Sequence, residues 1–120
     1  MGARPIGSFG DYARITFPVP AAAARAAKEG LRLRAEYGRG GTDVGIDRAK
    51  QLSTAKAVTL RDIVHIRSYF ARHIVDNLDQ KNPPSNGWIA WQLWGGWPMQ
   101  KAAIQAHRWA IENGYLSPSR

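Results

Sequence analysis

Four polar side chains that could carry out proton chemistry fall within two turns of one predicted helix. They are Tyr69, Arg72, His73 and Asp76. A histidine beside a carboxylate can act as a general base, and Arg72 and Asp76, at i and i+4, predict an ion pair worth about 0.5 kcal/mol. A reaction would also need a nucleophile, such as Ser68 or Tyr69, in the same pocket. Since no second carboxylate lies nearby in sequence, we interpret this group as a structural hydrogen-bonding cluster and expect no catalytic residues.

Metal and cofactor sites have little support. The three histidines, His65, His73 and His107, lack the spacing of a zinc-binding helix, and the chain has no cysteine for thiolate ligands or disulfides. The Gly-rich stretch 38–41 lacks the Gly-Lys-Ser/Thr ending of a phosphate-binding loop and indicates a turn instead. We therefore expect no metal and no cofactor.

The charge of the chain suggests acidic partners. Seventeen basic residues against nine acidic ones give a formal net charge of +8, which attracts nucleic acid or any acidic surface but also serves solubility. Arg25, Lys28 and Arg32 follow i, i+3, i+7 spacing and predict a basic stripe along the first helix. With Arg39 in the Gly-rich turn, they form a candidate surface for nucleic acid or another partner.

The segment 42–79 has the order of a helix-turn-helix: a short helix, a connector and a longer helix. In DNA-binding proteins of that kind the second helix enters the major groove with its first turns. Here the exposed positions of those turns would be Arg61, His65 and Ser68. The connector of about six residues is longer than the usual tight turn, so a plain helical hairpin is the alternative.

Tryptophans recur at every third position from Trp88 to Trp97. In a helix this spacing gives a slowly rotating face rather than a strict stripe. We expect Trp91 and Trp94 to lie in the core, and Trp88 and Trp97, near the two helix ends, to be exposed. Exposed aromatic rings beside arginines could stack on bases or anchor a protein interface.

Proline, glycine and capping residues predict an all-α fold of about five helices in one compact domain. An extended arm at residues 1–20 precedes the helical domain at 21–114, and a tail follows at 115–120. Alternation of Ile15, Phe17 and Val19 permits a short strand in the arm. The predicted helices cover residues 21–37, 43–52, 60–78, 86–95 and 98–113, with no confident sheet.

The predicted core combines the apolar face of the longest helix with the tryptophan-rich segment. Its members are Phe70, Ile74, Ile89, Leu93 and at least two of Trp91, Trp94 and Trp109. The first helix should contribute a thin apolar side, made of Ala24, Ala27, Leu31 and Ala35. Arg67 projects from the middle of the longest helix's apolar face, so it must pair, extend to solvent or point into an interface.

Three stretches of the chain, taken together, resemble a small helical module of tailed bacteriophages. They are YGRGGTDVGIDRAKQL at 37–52, SYFARHIVD at 68–76 and PSNGWIAWQLWGG at 84–96. The resemblance covers about residues 22–110, and such modules occur alone or attached to head-maturation proteins such as capsid proteases. It implies a phage source, a setting near head assembly, and a location in the virion or the host cytoplasm. The resemblance identifies no catalytic residue in this chain.

Three functions remain open at this level. The first is a non-catalytic accessory protein that docks on a phage capsid or assembly protein. The second is a basic nucleic-acid-binding protein, with DNA as the partner, and an enzyme ranks last. No apolar run approaches the roughly 20 residues of a membrane helix, so we expect no membrane partner, while self-association stays open.

Overall fold

The computed structural model describes residues 14–118, which form five helices and one two-stranded sheet. In chain order the elements are β1 Thr16–Pro18, α1 Ala21–Tyr37, α2 Asp43–Thr54, β2 Ala57–Thr59, α3 Leu60–His73, α4 Asn86–Leu93 and α5 Gly96–Glu112. The predicted all-α class is confirmed. The first 13 residues of the predicted arm and the last two of the predicted tail lie outside the described residues. Within the described part, no helix is long and apolar enough to cross a membrane.

The described end of the arm is a strand, as its alternating apolar residues predicted. β1 pairs antiparallel with β2, with Phe17 opposite Val58. Backbone bonds of 2.9 Å extend the pairing at both ends, from the Leu60 amide to the Ile15 carbonyl and from the Val19 amide to the Lys56 carbonyl. The expected connector between the two central helices therefore contains β2, which the sequence did not reveal because three residues carry too little periodicity.

The predicted apolar side of α1 is correct at Ala27 but is displaced by one or two positions at its other three residues. The residues that are buried are Ala23, Ala27, Gly30 and Leu33. The physical reason is Gly30, because a Cβ atom there would lie 2.5 Å from the Leu93 backbone nitrogen. Only a glycine lets α4 approach so closely, and that contact sets the rotation of α1.

α3 begins as predicted but ends five residues early. Thr59 and Asp62 form a capping box, in which each side chain accepts a bond from the other's backbone amide. The helix stops at His73 instead of Leu78, and Asp76 then turns back to accept a hydrogen bond from His73. α2 packs mainly against α1 and α4, whereas α3 packs mainly against α5, so the two central helices have different partners.

The core is centred on α4, which is apolar on every side. Trp91 is fully buried, and its ring centroid lies 4.6 Å from that of Phe70. Ile89, Leu93 and Trp94 are also buried, as predicted. Ile74 is not: it is 44% exposed, because α3 ends there and α4 lies beside its earlier turns. Trp109 is 41% exposed as well.

The predicted tail begins inside the packed structure. Tyr115 and Leu116 are both buried, and the Tyr115 amide donates to the Ala110 carbonyl at 2.8 Å. The Tyr115 ring stacks on Trp109, with 5.6 Å between centroids. The chain therefore continues to contribute to the core after the end of α5.

We predict that Phe70→Ala lowers the free energy of unfolding by about 3–5 kcal/mol, because it leaves a cavity beside Trp91. Trp97→Ala should cost clearly less, since Trp97 is 45% exposed. Thermal or urea unfolding of both variants measures the difference. Equal losses would contradict this assignment of core and surface.

Candidate functional site

A cavity of about 780 Å³ lies between α3, the start of α2 and α4. We call it the aromatic groove. Tyr69 and Trp94 stack in it with ring centroids 4.4 Å apart and planes 4° from parallel. His73 stacks on Tyr69 at 4.5 Å, and the Arg48 guanidinium lies 5.2 Å from the Trp94 ring centre. The groove thus has an aromatic interior with polar groups around it.

The polar cluster predicted from sequence does line this groove. Tyr69, Arg72 and His73 recur at helical spacing on α3, so one side of that helix presents all three. Asp76 joins them from the turn after α3. Its Oδ2 lies 2.9 Å from His73 Nδ1, so within the described residues Asp76 pairs with His73 and not with Arg72 as predicted.

The same groove brings the two candidate nucleophiles, Ser68 and Tyr69, near His73. Within residues 14–118, however, no hydrogen bond joins either hydroxyl to the imidazole, and the buried Tyr69 hydroxyl has no partner at all. Burial, with the Asp76 charge adding to it, raises the pKa of Tyr69 well above its ordinary value. The Tyr69 hydroxyl therefore keeps its proton at neutral pH, and within the described residues no base lies within hydrogen-bonding distance of it.

A second candidate site runs between α3 and α5. It consists of two adjoining cavities, about 150 Å³ and about 310 Å³, which share Arg67 and Ile104. We call it the α3–α5 cleft. The first cavity is completed by Phe70, Ala71, Ile74 and Gln100. The second is completed by His107, Arg108, Ile111 and Glu112.

Exposed apolar side chains mark the first end of the cleft. Ile74 and Ile104, 44% and 37% exposed, face each other across the first cavity. Trp97 lies two turns before Ile104 on the same side of α5 and rests on the buried Trp91, with ring centroids 4.8 Å apart. Val75 follows Ile74 and is almost fully exposed. Exposed apolar residues that adjoin, as Ile74 and Ile104 do, are typical of a binding surface, whereas isolated ones are ordinary.

Positive charge lines both cavities of the cleft, through Arg67 in both and Arg108 in the second. Within the described residues neither Arg67 nor Arg108 forms an ion pair or a hydrogen bond, and Glu112 is the one acidic residue lining either cavity. Burial lowers the pKa of His107, and the nearby Arg67 guanidinium lowers it further. The cleft therefore combines exposed apolar side chains with arginines that have no acidic partner among the described residues.

The predicted basic surface is only partly available. Arg25 and Lys28 are exposed on α1, but Arg32 bridges Glu29 and Glu36 at 2.7 and 2.8 Å. The predicted basic stripe is therefore partly neutralised by its own helix.

Arg39 is tied into the fold instead of being displayed for a partner. Its guanidinium donates to Asn86 Oδ1 and to the Pro84 carbonyl, both at 2.7 Å. These bonds hold the Gly-rich turn against the start of α4. A binding role for Arg39 would cost those contacts.

The remaining predicted residues are spread over three helices. Arg61 and His65 are exposed on α3, and His65 lines the aromatic groove. Trp97 is exposed as predicted. Trp88 is not: it is half-buried against the core, with Lys81 Nζ 4.9 Å from its ring centre. The prediction for Trp88 fails because its ring packs against the core even though Asn86, at the start of α4, is exposed.

The residues of the α3–α5 cleft were missed as a group. Arg67 was the available signal, because a cation on an apolar helix face implies a partner or an interface. Trp97, Ile104 and Ile111 share one side of α5, at i, i+7 and i+14. Nothing in the sequence indicated that this side of α5 would lie next to Arg67.

Comparisons of the chain with protein-family models, curated proteins and solved structures give no match. The resemblance to a phage module therefore remains an expectation. Function must be inferred from the geometry of the two sites.

We predict that the free energy of unfolding falls on acidification from about pH 7.5 to about pH 5.5, in part through His107. The pKa of His107 is lower in the fold than its ordinary 6.5, so the unfolded chain binds the proton more readily. The stability that the neutral imidazole confers is fully present above pH 6.5, the ordinary pKa of the group. It is lost as the pH falls toward the lower pKa that His107 has in the folded state. Urea unfolding at the two pH values should show a smaller loss for His107→Gln. An NMR titration midpoint for His107 above 6.5 would contradict the prediction.

Proposed function

We propose that this chain is a non-catalytic accessory protein of a bacteriophage, associated with the head or virion, which docks on a capsid or assembly protein. The observation that carries the proposal is the α3–α5 cleft, where exposed apolar side chains adjoin unpaired arginines. The sequence resemblance supplies the phage setting. The site of action would be the virion or the host cytoplasm.

The chemistry of the cleft favours a protein partner. Full burial of an isoleucine side chain contributes about 1.5–3 kcal/mol, so Ile74 and Ile104 would gain when a partner covers them. Tryptophan and arginine are the residue types enriched at the energetic centres of protein interfaces. Arg67 lines both cavities of the cleft, and Trp97 lies on α5 one turn before Gln100 of the first cavity. A rigid tryptophan that already rests on the core loses little conformational freedom on binding.

The strand of the arm has a role within the fold, which changes how docking should be tested. Because β1 pairs with β2 and precedes α1, deletion of residues 1–18 would remove packed structure as well as any docking arm. Substitutions in the exposed cleft are the cleaner test, since they leave the strand pair and the core in place.

We predict that purified virions of the phage encoding this chain contain it, and that Trp97→Ala with Ile104→Ser lowers its amount at least about tenfold. The double variant removes two exposed apolar side chains, and of the aromatic core contacts it removes the one between Trp97 and Trp91. Quantitative mass spectrometry of gradient-purified virions measures the copy number. Val44→Ser is the matched control, because Val44 is also exposed and apolar but lines the aromatic groove.

Two outcomes would contradict the proposal. Absence of the unaltered chain from virions and from head-assembly intermediates would exclude a role in the head. Full retention of the double variant would exclude the α3–α5 cleft as the docking surface. Circular dichroism of both variants must show the helical fold intact.

Nucleic-acid binding is a second candidate, supported by one observation. Within the described residues, Arg25 and Lys28 are exposed and form no ion pair or hydrogen bond, so both are available to phosphate groups. They lie one turn apart on α1 and could contact neighbouring phosphates of one strand. Arg32, the third member of the predicted stripe, is occupied by Glu29 and Glu36.

For this second candidate we expect DNA binding to weaken by about one log unit per log unit of salt for each phosphate contact. Fluorescence anisotropy with labelled duplex and single-stranded DNA gives that slope. The double substitution Arg25→Gln with Lys28→Gln should reduce the slope by about two. Arg32→Gln should change the slope little. If the chain binds neither form of DNA at low salt, the second candidate is excluded.

A further inference from the structure

We infer that the α3–α5 cleft seats an amphipathic helix of the partner protein, with an apolar face and acidic residues beside it. The inference rests on the proposed function and specifies its partner. It follows from the shape of the cleft, the position of its apolar residues and the sign of its unpaired charges.

The shape of the cleft suits a helix. Ile74 and Gln100 line the first cavity together, and Arg67 and Arg108 line the second, so α3 and α5 run antiparallel and the two adjoining cavities form a furrow between them. From Gln100 to Glu112 this furrow extends about 18 Å at 1.5 Å per residue. Two antiparallel helices with an uncovered furrow accept a third helix by the packing used within helical bundles.

The apolar residues are placed to receive a helix face. Ile104 and Ile111 line the cleft seven residues apart on α5, Trp97 lies seven residues before Ile104 and one turn before the first cavity, and Ile74 lines that cavity from α3. A partner helix with apolar residues at i, i+4, i+7 and i+11 would contact this row along its length. An extended strand would alternate its side chains and could place only every second one in the furrow.

The positive charge of the cleft favours a partner surface with negative charge. Arg67 and Arg108 have no ion-pair partner within residues 14–118. Carboxylates beside the apolar face of a partner helix would pair with both arginines. A second copy of this chain would bring the same arginines instead and provide only Glu112 to offset them, so self-association through the cleft is disfavoured.

The test uses two synthetic helical peptides of about 18 residues, long enough to span the furrow. Both carry the same leucines at i, i+4, i+7 and i+11, with glutamates flanking them in one peptide and lysines in the other. Anisotropy titrations with the full chain should show at least about tenfold tighter binding of the glutamate peptide at about 50 mM salt. The difference should shrink at about 500 mM salt, where exposed charge pairs are screened.

Variants of the chain assign the contacts. Arg67→Gln should remove most of the preference for the glutamate peptide, and Ile104→Ser should weaken both peptides alike. Arg25→Gln is the matched control for charge, because it removes an exposed arginine of α1 and should leave the preference unchanged. Trp109→Ala is the control for an exposed tryptophan outside the cleft.

Three results would overturn the inference. The first is equal or tighter binding of the lysine peptide. The second is no binding of either peptide while incorporation into virions still depends on Trp97, which would leave the proposed function standing with another occupant. The third is a concentration-dependent dimer in sedimentation velocity that Ile104→Ser abolishes, which would make a second copy the occupant.

Discussion

The contact between α1 and α4 at Gly30 is the constraint on which the rest of the structure depends. A helix apolar on all sides, as α4 is, must be enclosed, and a side chain at position 30 would overlap the backbone of Leu93. The missing Cβ atom lets α4 sit directly on α1. α2, α3 and α5 then cover its remaining sides, and Trp91 fills the space between Phe70 and Trp97.

Enclosure of α4 produces both candidate sites. Trp94, at the end of α4, lines the aromatic groove and stacks on Tyr69. Trp91, one turn earlier, supports Trp97 at the cleft between α3 and α5. The tryptophans thus differ in role although they recur at equal spacing. Those on α4 are held in or against the core, while Trp97 follows the reversal at Gly95 and Gly96, both at positive φ, and emerges on the surface.

The positive charge of the chain has several structural uses. Arg48 pairs with Asp62 at 3.0 Å in a mostly buried contact that joins α2 to the start of α3. Arg39 holds the Gly-rich turn against α4, and Arg32 is neutralised on α1. Arg67 and Arg108 are different, because within the described residues they have no such partner and lie beside exposed isoleucines. Net charge alone could not separate these roles, since the formal count treats every arginine alike.

The sequence by itself determined the helical class, the main helix starts and most of the core. Helix starts depend on local capping. The side chains of Thr42, Thr59 and Ser85 each accept a hydrogen bond from the backbone amide three residues later.

Tertiary structure decided the rotation of α1, the pairing of β1 with β2 and the early end of α3. It also decided which exposed residues lie side by side, such as Ile74 with Ile104. The physical reason is that capping and periodicity act over a few residues of one element. A cleft is defined by the distance between two elements, and here that distance follows from the packing of α4.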